Sequence, residues 1–227
     1  MIMPKTGIGF VEMLSLVAIL LPLIPVLIIF ITKAYQEDVL ALLMGVCLVS
    51  FIQNLILYIP RLVAVDMLFI KASFELINYI LMLVLINLVI EGRWWREAIR
   101  ILLIAFISVV VTIYSIQGVS RYLWNIEIAQ SSVMILLNFV VLLQLIRRHD
   151  IFIFQSPMFW IAAGTFFYYS MFLLTHALPE YKAVLQEVPQ AQKQILMLVM
   201  IIVQFGFYIA AAAVAGKSDK ERSMPPF

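Results

Sequence analysis

The chain has 227 residues, 65% of them hydrophobic and 12% charged, with a mean hydropathy of +1.09 and a net charge of only +2. Water-soluble domains are nearer half apolar and a quarter charged, so lipid must be the solvent for most of this chain. The near-neutral balance excludes a nucleic-acid footprint, the length leaves no room for a soluble output domain beside a membrane bundle, and one cysteine cannot form an internal disulfide.

A membrane span needs about 20 mainly apolar residues, and seven runs qualify. The first, Phe10–Ile31, is too long for a signal-peptide core and has no A-x-A cleavage site, so it reads as a retained span. Its Pro22 and Pro25 free backbone carbonyls one turn earlier, which predicts a bend. The second run, Val39–Ile59, carries Cys47, Ser50, Asn54 and Tyr58 at helical spacing, on one face. In the third, Met67–Ile90, the residues Lys71, Glu75 and Asn78 share a face that Met82 and Leu85 continue. The loop EGRWWRE leads to the fourth, Ile99–Ile116. The fifth, Ile126–Ile146, holds Asn138 near mid-depth. In the sixth, Met158–Leu178, one stripe runs through Met158, Ala162, Thr165, Tyr169, Phe172 and His176. The seventh, Ile195–Ala215, places Gln204 one turn before Tyr208. The fold class predicted is all-α: a polytopic integral membrane protein, one seven-transmembrane-helix bundle over 1–227. Its short basic tail, 216–227, is expected to lie disordered at the inner surface.

Orientation follows lysine and arginine in the loops. With the N-terminus outside, nine basic residues fall inside: Lys33, Arg93, Arg96, Arg100, Arg147, Arg148, Lys217, Lys220 and Arg222. Six fall outside: Lys5, Arg61, Lys71, Arg121, Lys182 and Lys193. The dense clusters are all inside, so the expected topology is N-out, C-in, in the bacterial inner (plasma) membrane. Trp94, Trp95, Trp124 and Trp160 stand at span ends, where tryptophans act as interfacial anchors. The outer loop from Pro179 to Lys193 has room for one short helix over the bundle mouth.

Polar side chains within spans are costly in lipid and are the default candidates for a site. Asn54 and Tyr58, Glu75 and Asn78, and His176 lie at similar depth, within about two turns of the outer surface, with Tyr169 on the same stripe as His176. A carboxylate, an imidazole, amides and phenols at one level define a candidate ligand-binding cup. Competing structural readings exist for each. Lys71 one turn before Glu75 satisfies that carboxylate without a ligand. His176 suits a helix C-terminus. Asn54, and Asn138 and Gln204 deeper in the bundle interior, serve as interhelical hydrogen-bond glue.

Enzymatic chemistry is not expected. His149 and His176 lie at opposite faces, so no metal cluster is available. No G-x-S-x-G, H-E-x-x-H or phosphate loop occurs. A retinal cofactor would need a lysine inside the seventh span, which has none, and no other cofactor is implied. A carrier usually shows two related halves, and no internal repeat is present.

The stretch from Phe154 to Tyr169, with SPMFWIAAGTFFYY, resembles a pattern found in small seven-helix membrane proteins of Bacteroidetes bacteria. There a proline, an aromatic pair and a glycine-then-tyrosine spacing open the sixth helix. The RRH just upstream and the seven-span layout are similar as well. Those proteins are in turn similar to the membrane sensor regions attached to, or encoded near, histidine kinases. The shared depth of Asn54, Glu75 and His176 leads to the reading of a receptor-like sensory and signalling protein that reads a small ligand, a proton or a membrane property near the outer face. Its signal would pass to a separate histidine kinase or other membrane partner, and the chain could pair as a homodimer in the lipid bilayer. A small transporter or channel is the alternative.

Overall fold

A computed structural model describes residues 6–58, 67–117, 123–147, 152–177 and 190–223. Every regular element among them is helical. Helices α1 (Thr6–Leu20) and α2 (Leu23–Ile31) form one bent span. Helices α3 (Asp38–Tyr58), α4 (Met67–Val89), α5 (Arg93–Gln117), α6 (Leu123–Arg147), α7 (Pro157–Ala177) and α8 (Gln190–Ser223) follow. Six helical segments are long and apolar enough to cross a membrane: Gly9–Ile31, Asp38–Tyr58, Phe69–Val89, Ile126–Arg147, Pro157–Thr175 and Gln192–Gly216. Helix α5, which opens on Arg93, Arg96, Glu97 and Arg100, is not among them.

The expected bend in the first span is a break. Neither Pro22 nor Pro25 has an N–H to give, so the carbonyls of Ala18 and Leu21 lose their usual donors. The Leu21 carbonyl instead accepts from Ile24 N at 3.1 Å, a tighter turn that separates α1 from α2. Other boundaries follow equally local rules. Gly92, at φ +98°, makes the left-handed turn between α4 and α5 that an L side chain resists. Pro157 stands at the first position of α7, where its missing N–H costs nothing. Trp160 Nε1 then donates to the Phe154 carbonyl at 2.9 Å, tying α7 to the turn before it.

The main packing pairs close a ring in the order α1/α2, α3, α4, α6, α7, α8 and back to α2 and α1. Helix α5 lies outside this ring and packs mainly on α4. The Tyr79 and Phe106 rings hold it there, 4.6 Å apart. Where α4 ends, the Gln144 side chain on α6 clamps the turn that follows, accepting from Glu91 N at 2.9 Å and donating to Glu91 O at 3.1 Å. The end of the ring containing that clamp is packed with buried apolar residues, among them Leu40, Leu43, Leu85, Ile86, Leu137, Val141, Ile161 and Ala212. Large apolar side chains such as Phe10, Met13, Phe30, Ile101 and Ile104 point outward, as they should where the surrounding solvent is hydrocarbon.

The basic tail departs from expectation: the backbone stays helical through Ser223, so GKSDKERS extends α8 rather than leaving it. The expected loop helix and the basic residues Lys5, Arg61, Arg121, Arg148 and Lys182 lie outside the described residues, as does His149.

A candidate ligand cavity in one half of the bundle

The other half of the ring encloses a cavity of about 350 Å³. It is walled by the C-terminal half of α3, the N-terminal half of α4, the start of α6, the end of α7 and the start of α8. Because helices consecutive in the chain alternate in direction, these segments all belong to one end of the bundle. From Lys71 to Met82 the cavity follows roughly 16 Å of α4, about half the thickness of a bilayer core. That volume sits at the small end of the range for ligand pockets, roughly 300–1,000 Å³.

Asn54, Glu75, Asn78, Tyr169 and Gln204 all line this cavity. Tyr58 does not. It is 46% exposed and lines a smaller adjoining void with residues of α1 and α8. The His176 backbone closes α7, and its side chain lies outside the described residues. Asn138 is buried, but away from the cavity, and its Nδ2 donates to Met134 O of its own helix at 2.7 Å. It therefore back-bonds its own turn in place of the interhelical link expected of it.

The polar side of the cavity is built by α4 and α6. Lys71 Nζ sits 3.4 Å from Glu75 Oε1 and 3.1 Å from Glu127 Oε1. The local pair expected from i,i+4 spacing is present, yet the shorter contact crosses to another helix. One ammonium among two carboxylates leaves the trio formally one negative charge in excess. Their side chains are 40%, 29% and 14% exposed, so the trio stands at a mouth rather than in a dry interior. One turn deeper, Asn78 Nδ2 donates to Ser50 Oγ at 3.2 Å and to Gln53 Oε1 at 3.3 Å. Its Oδ1 is buried without a hydrogen-bond partner. An orphaned acceptor costs roughly 1–3 kcal/mol, and a ligand N–H or O–H would recover that.

The base of the cavity carries a directed chain of hydrogen bonds. Gln204 Nε2 donates to Tyr208 OH at 2.9 Å. Thr165 Oγ1 lies 2.9 Å from the same hydroxyl and 2.8 Å from the Ile161 carbonyl. Thr165 has one proton and the carbonyl can only accept, so Tyr208 donates to Thr165. Gln204 thus bonds within α8, and it is Tyr208 that reaches across to α7. Tyr208→Phe removes both contacts and leaves the Gln204 amide without its acceptor. A loss of about 1–2 kcal/mol is expected in thermal or denaturant melts of the reconstituted protein.

The opposite side is apolar and soft, with Leu57 on α3 and Met197, Met200, Ile201 and Phe205 on α8. Tyr168, Tyr169 and Phe172 of α7 stand between the two sides. Sequence reasoning missed Glu127, Gln130, Ser131 and Tyr168. A charge in the first turn of the fifth apolar run was the available signal for Glu127. Among the described residues, no group of three or more His, Cys, Asp or Glu side chains could hold a metal ion. No known protein family, curated protein or solved structure matches this chain.

Proposed function

We propose that the protein is a receptor-like sensor of the bacterial inner membrane, seven spans in all, with α5 as the additional one and the N-terminus outside. In this orientation the cavity faces the outside and receives a small ligand. The clusters Arg93, Arg96, Arg100 and Arg147 then lie inside, available to a separate signalling partner such as a histidine kinase. One observation carries this reading: an amphipathic cavity occupies one half of the ring while the other half is packed with apolar side chains. A blind cavity suits a protein that binds and reports. Ligand affinity would have to differ between two bundle arrangements for a signal to result. Helix α8 is suited to couple them, because it contributes to the cavity wall and extends to Ser223 at the opposite end.

The reading is tested by screening small solutes, polar and amphiphilic, against the purified, reconstituted protein. A true ligand at 100 times its Kd stabilises the folded state by about 2.7 kcal/mol. The gain should vanish in Asn78→Leu, which removes both the donor and the free acceptor. The same ligand, tested in liposomes, should show no flux above that of empty vesicles.

A carrier is the second reading. It is favoured by the polar Gln204–Tyr208–Thr165 chain at the cavity base, where a path through the bundle would have to open. Ligand-dependent flux that Tyr208→Phe alters would replace the sensor reading with this one.

A further inference from the structure

The smaller void, about 200 Å³, is lined by Ser15, Ala18 and Ile19 of α1, Asn54, Leu57 and Tyr58 of α3, and Leu198 and Ile201 of α8. Asn54, Leu57 and Ile201 line the main cavity too, so the two spaces are separated by little more than these three side chains. The wall between them is on the apolar side of the cavity. In the ring order, α1 stands directly across from α6, which supplies Glu127, Gln130 and Ser131.

From this arrangement we infer that the gap between α1, α3 and α8 is a lateral port, through which the cavity takes its ligand from the bilayer. The ligand class is then an amphiphile. Its polar head reaches Lys71, Glu75, Glu127 and Asn78, and its apolar part lies along Leu57 and Ile201 toward the port. This deepens the proposed function and rests on its cavity.

Helix α1 is suited to be the door. Its outer surface, with Phe10, Met13, Leu16, Val17 and Leu20, faces away from the protein. The backbone break at Leu21–Pro22 uncouples it from α2, which buries Pro25 and Ile29 in the ring. A movement of α1 about that break widens the smaller void without disturbing α2. The polar groups along the route are few: the Asn54 amide, which sits where the two spaces meet, the Tyr58 hydroxyl, and the Ser15 hydroxyl, which donates to Val11 O at 2.8 Å.

The test measures access and needs no knowledge of the natural ligand. Cys47 is the chain's only cysteine and is buried, so Cys47→Ala gives a silent background. Gln130→Cys then places one thiol in the cavity, across the ring from the port. Two probes are compared in proteoliposomes: an N-alkylmaleimide dissolved in the bilayer, and a membrane-impermeant sulfonate thiosulfonate added outside. Ala18→Trp fills the smaller void and should slow the maleimide by about tenfold, with the sulfonate rate unchanged. Tyr58→Ala removes the ring beside the opening and should speed the maleimide, which keeps the test decisive where the tryptophan variant does not fold. A maleimide rate indifferent to both substitutions overturns the port. Failure of the sulfonate reagent to label at all overturns the outward-facing cavity instead, and the maleimide series still judges the port.

Discussion

Lys71→Met is expected to destabilise the protein more than either Glu75→Gln or Glu127→Gln. Lys71 stands 3.4 Å and 3.1 Å from two carboxylates on different helices, so its removal leaves two anions facing one another without a cation. Removing one partner of a fully buried ion pair costs about 3–5 kcal/mol, whereas exposed pairs contribute about 0–1 kcal/mol. These groups are 14–40% exposed, which places the expected loss between those limits, at about 2 kcal/mol. Each Glu→Gln change leaves the ammonium with one carboxylate and a formally neutral cluster, and should cost under about 1 kcal/mol. The triple variant Lys71→Met, Glu75→Gln, Glu127→Gln should regain most of the loss, since no charge is then left unpaired. Thermal melts of the parent chain and the four variants in one nanodisc lipid decide the matter. Equal melting temperatures for Lys71→Met and the two single glutamine variants would show that the trio is solvated independently, not coupled.

The same trio shows what a sequence can and cannot carry. Helical spacing put Lys71, Glu75, Asn78 and Met82 on one face, and the structure has all four on one wall of the cavity. Periodicity is a property of one helix, and it was sufficient there. Glu127 escaped because no basic residue stands three or four positions from it in its own helix, and its partner Lys71 is 56 residues away. Tyr58 escaped in the opposite sense. It shares the Asn54 face by spacing, yet one further turn carries it past the cavity to the neighbouring void. Ring order was equally illegible. The run Ile99–Ile116 reads as a seventh span, yet α5 is not among the six described helices long and apolar enough to cross a membrane, and only the packing shows it outside the ring. Gln204 and Asn138 were read as links between helices because amides in lipid need partners. Each finds its partner within its own helix, one turn away.

Gly164 is expected to be the most sensitive single position in the wall between α7 and α8. A Cβ built there would lie 2.6 Å from the Phe207 Cβ and 3.3 Å from the Gln204 carbonyl oxygen. Neither atom is the free end of a side chain, so no rotamer change relieves the contact, and the two helices must separate. Overpacking of this kind costs about 1–3 kcal/mol. The cavity suffers with it, because the bond between Thr165 and Tyr208, 2.9 Å long, spans the same seam one residue further along α7. Gly164→Ala should therefore lower the melting temperature and also weaken ligand binding at a cavity it does not touch. A double-mutant cycle isolates the cause. In a Phe207→Gly background the offending Cβ is absent, and Gly164→Ala should cost far less there than in the parent chain, although Phe207→Gly is itself destabilising. In a Phe207→Ala background the Cβ remains, and most of the penalty should persist. Neighbouring sites coupled through one contact show interaction energies of about 0.5–3 kcal/mol. Equal costs for Gly164→Ala in all three backgrounds would show that the approach of Phe207 does not govern this position, since helix propensity by itself favours alanine there.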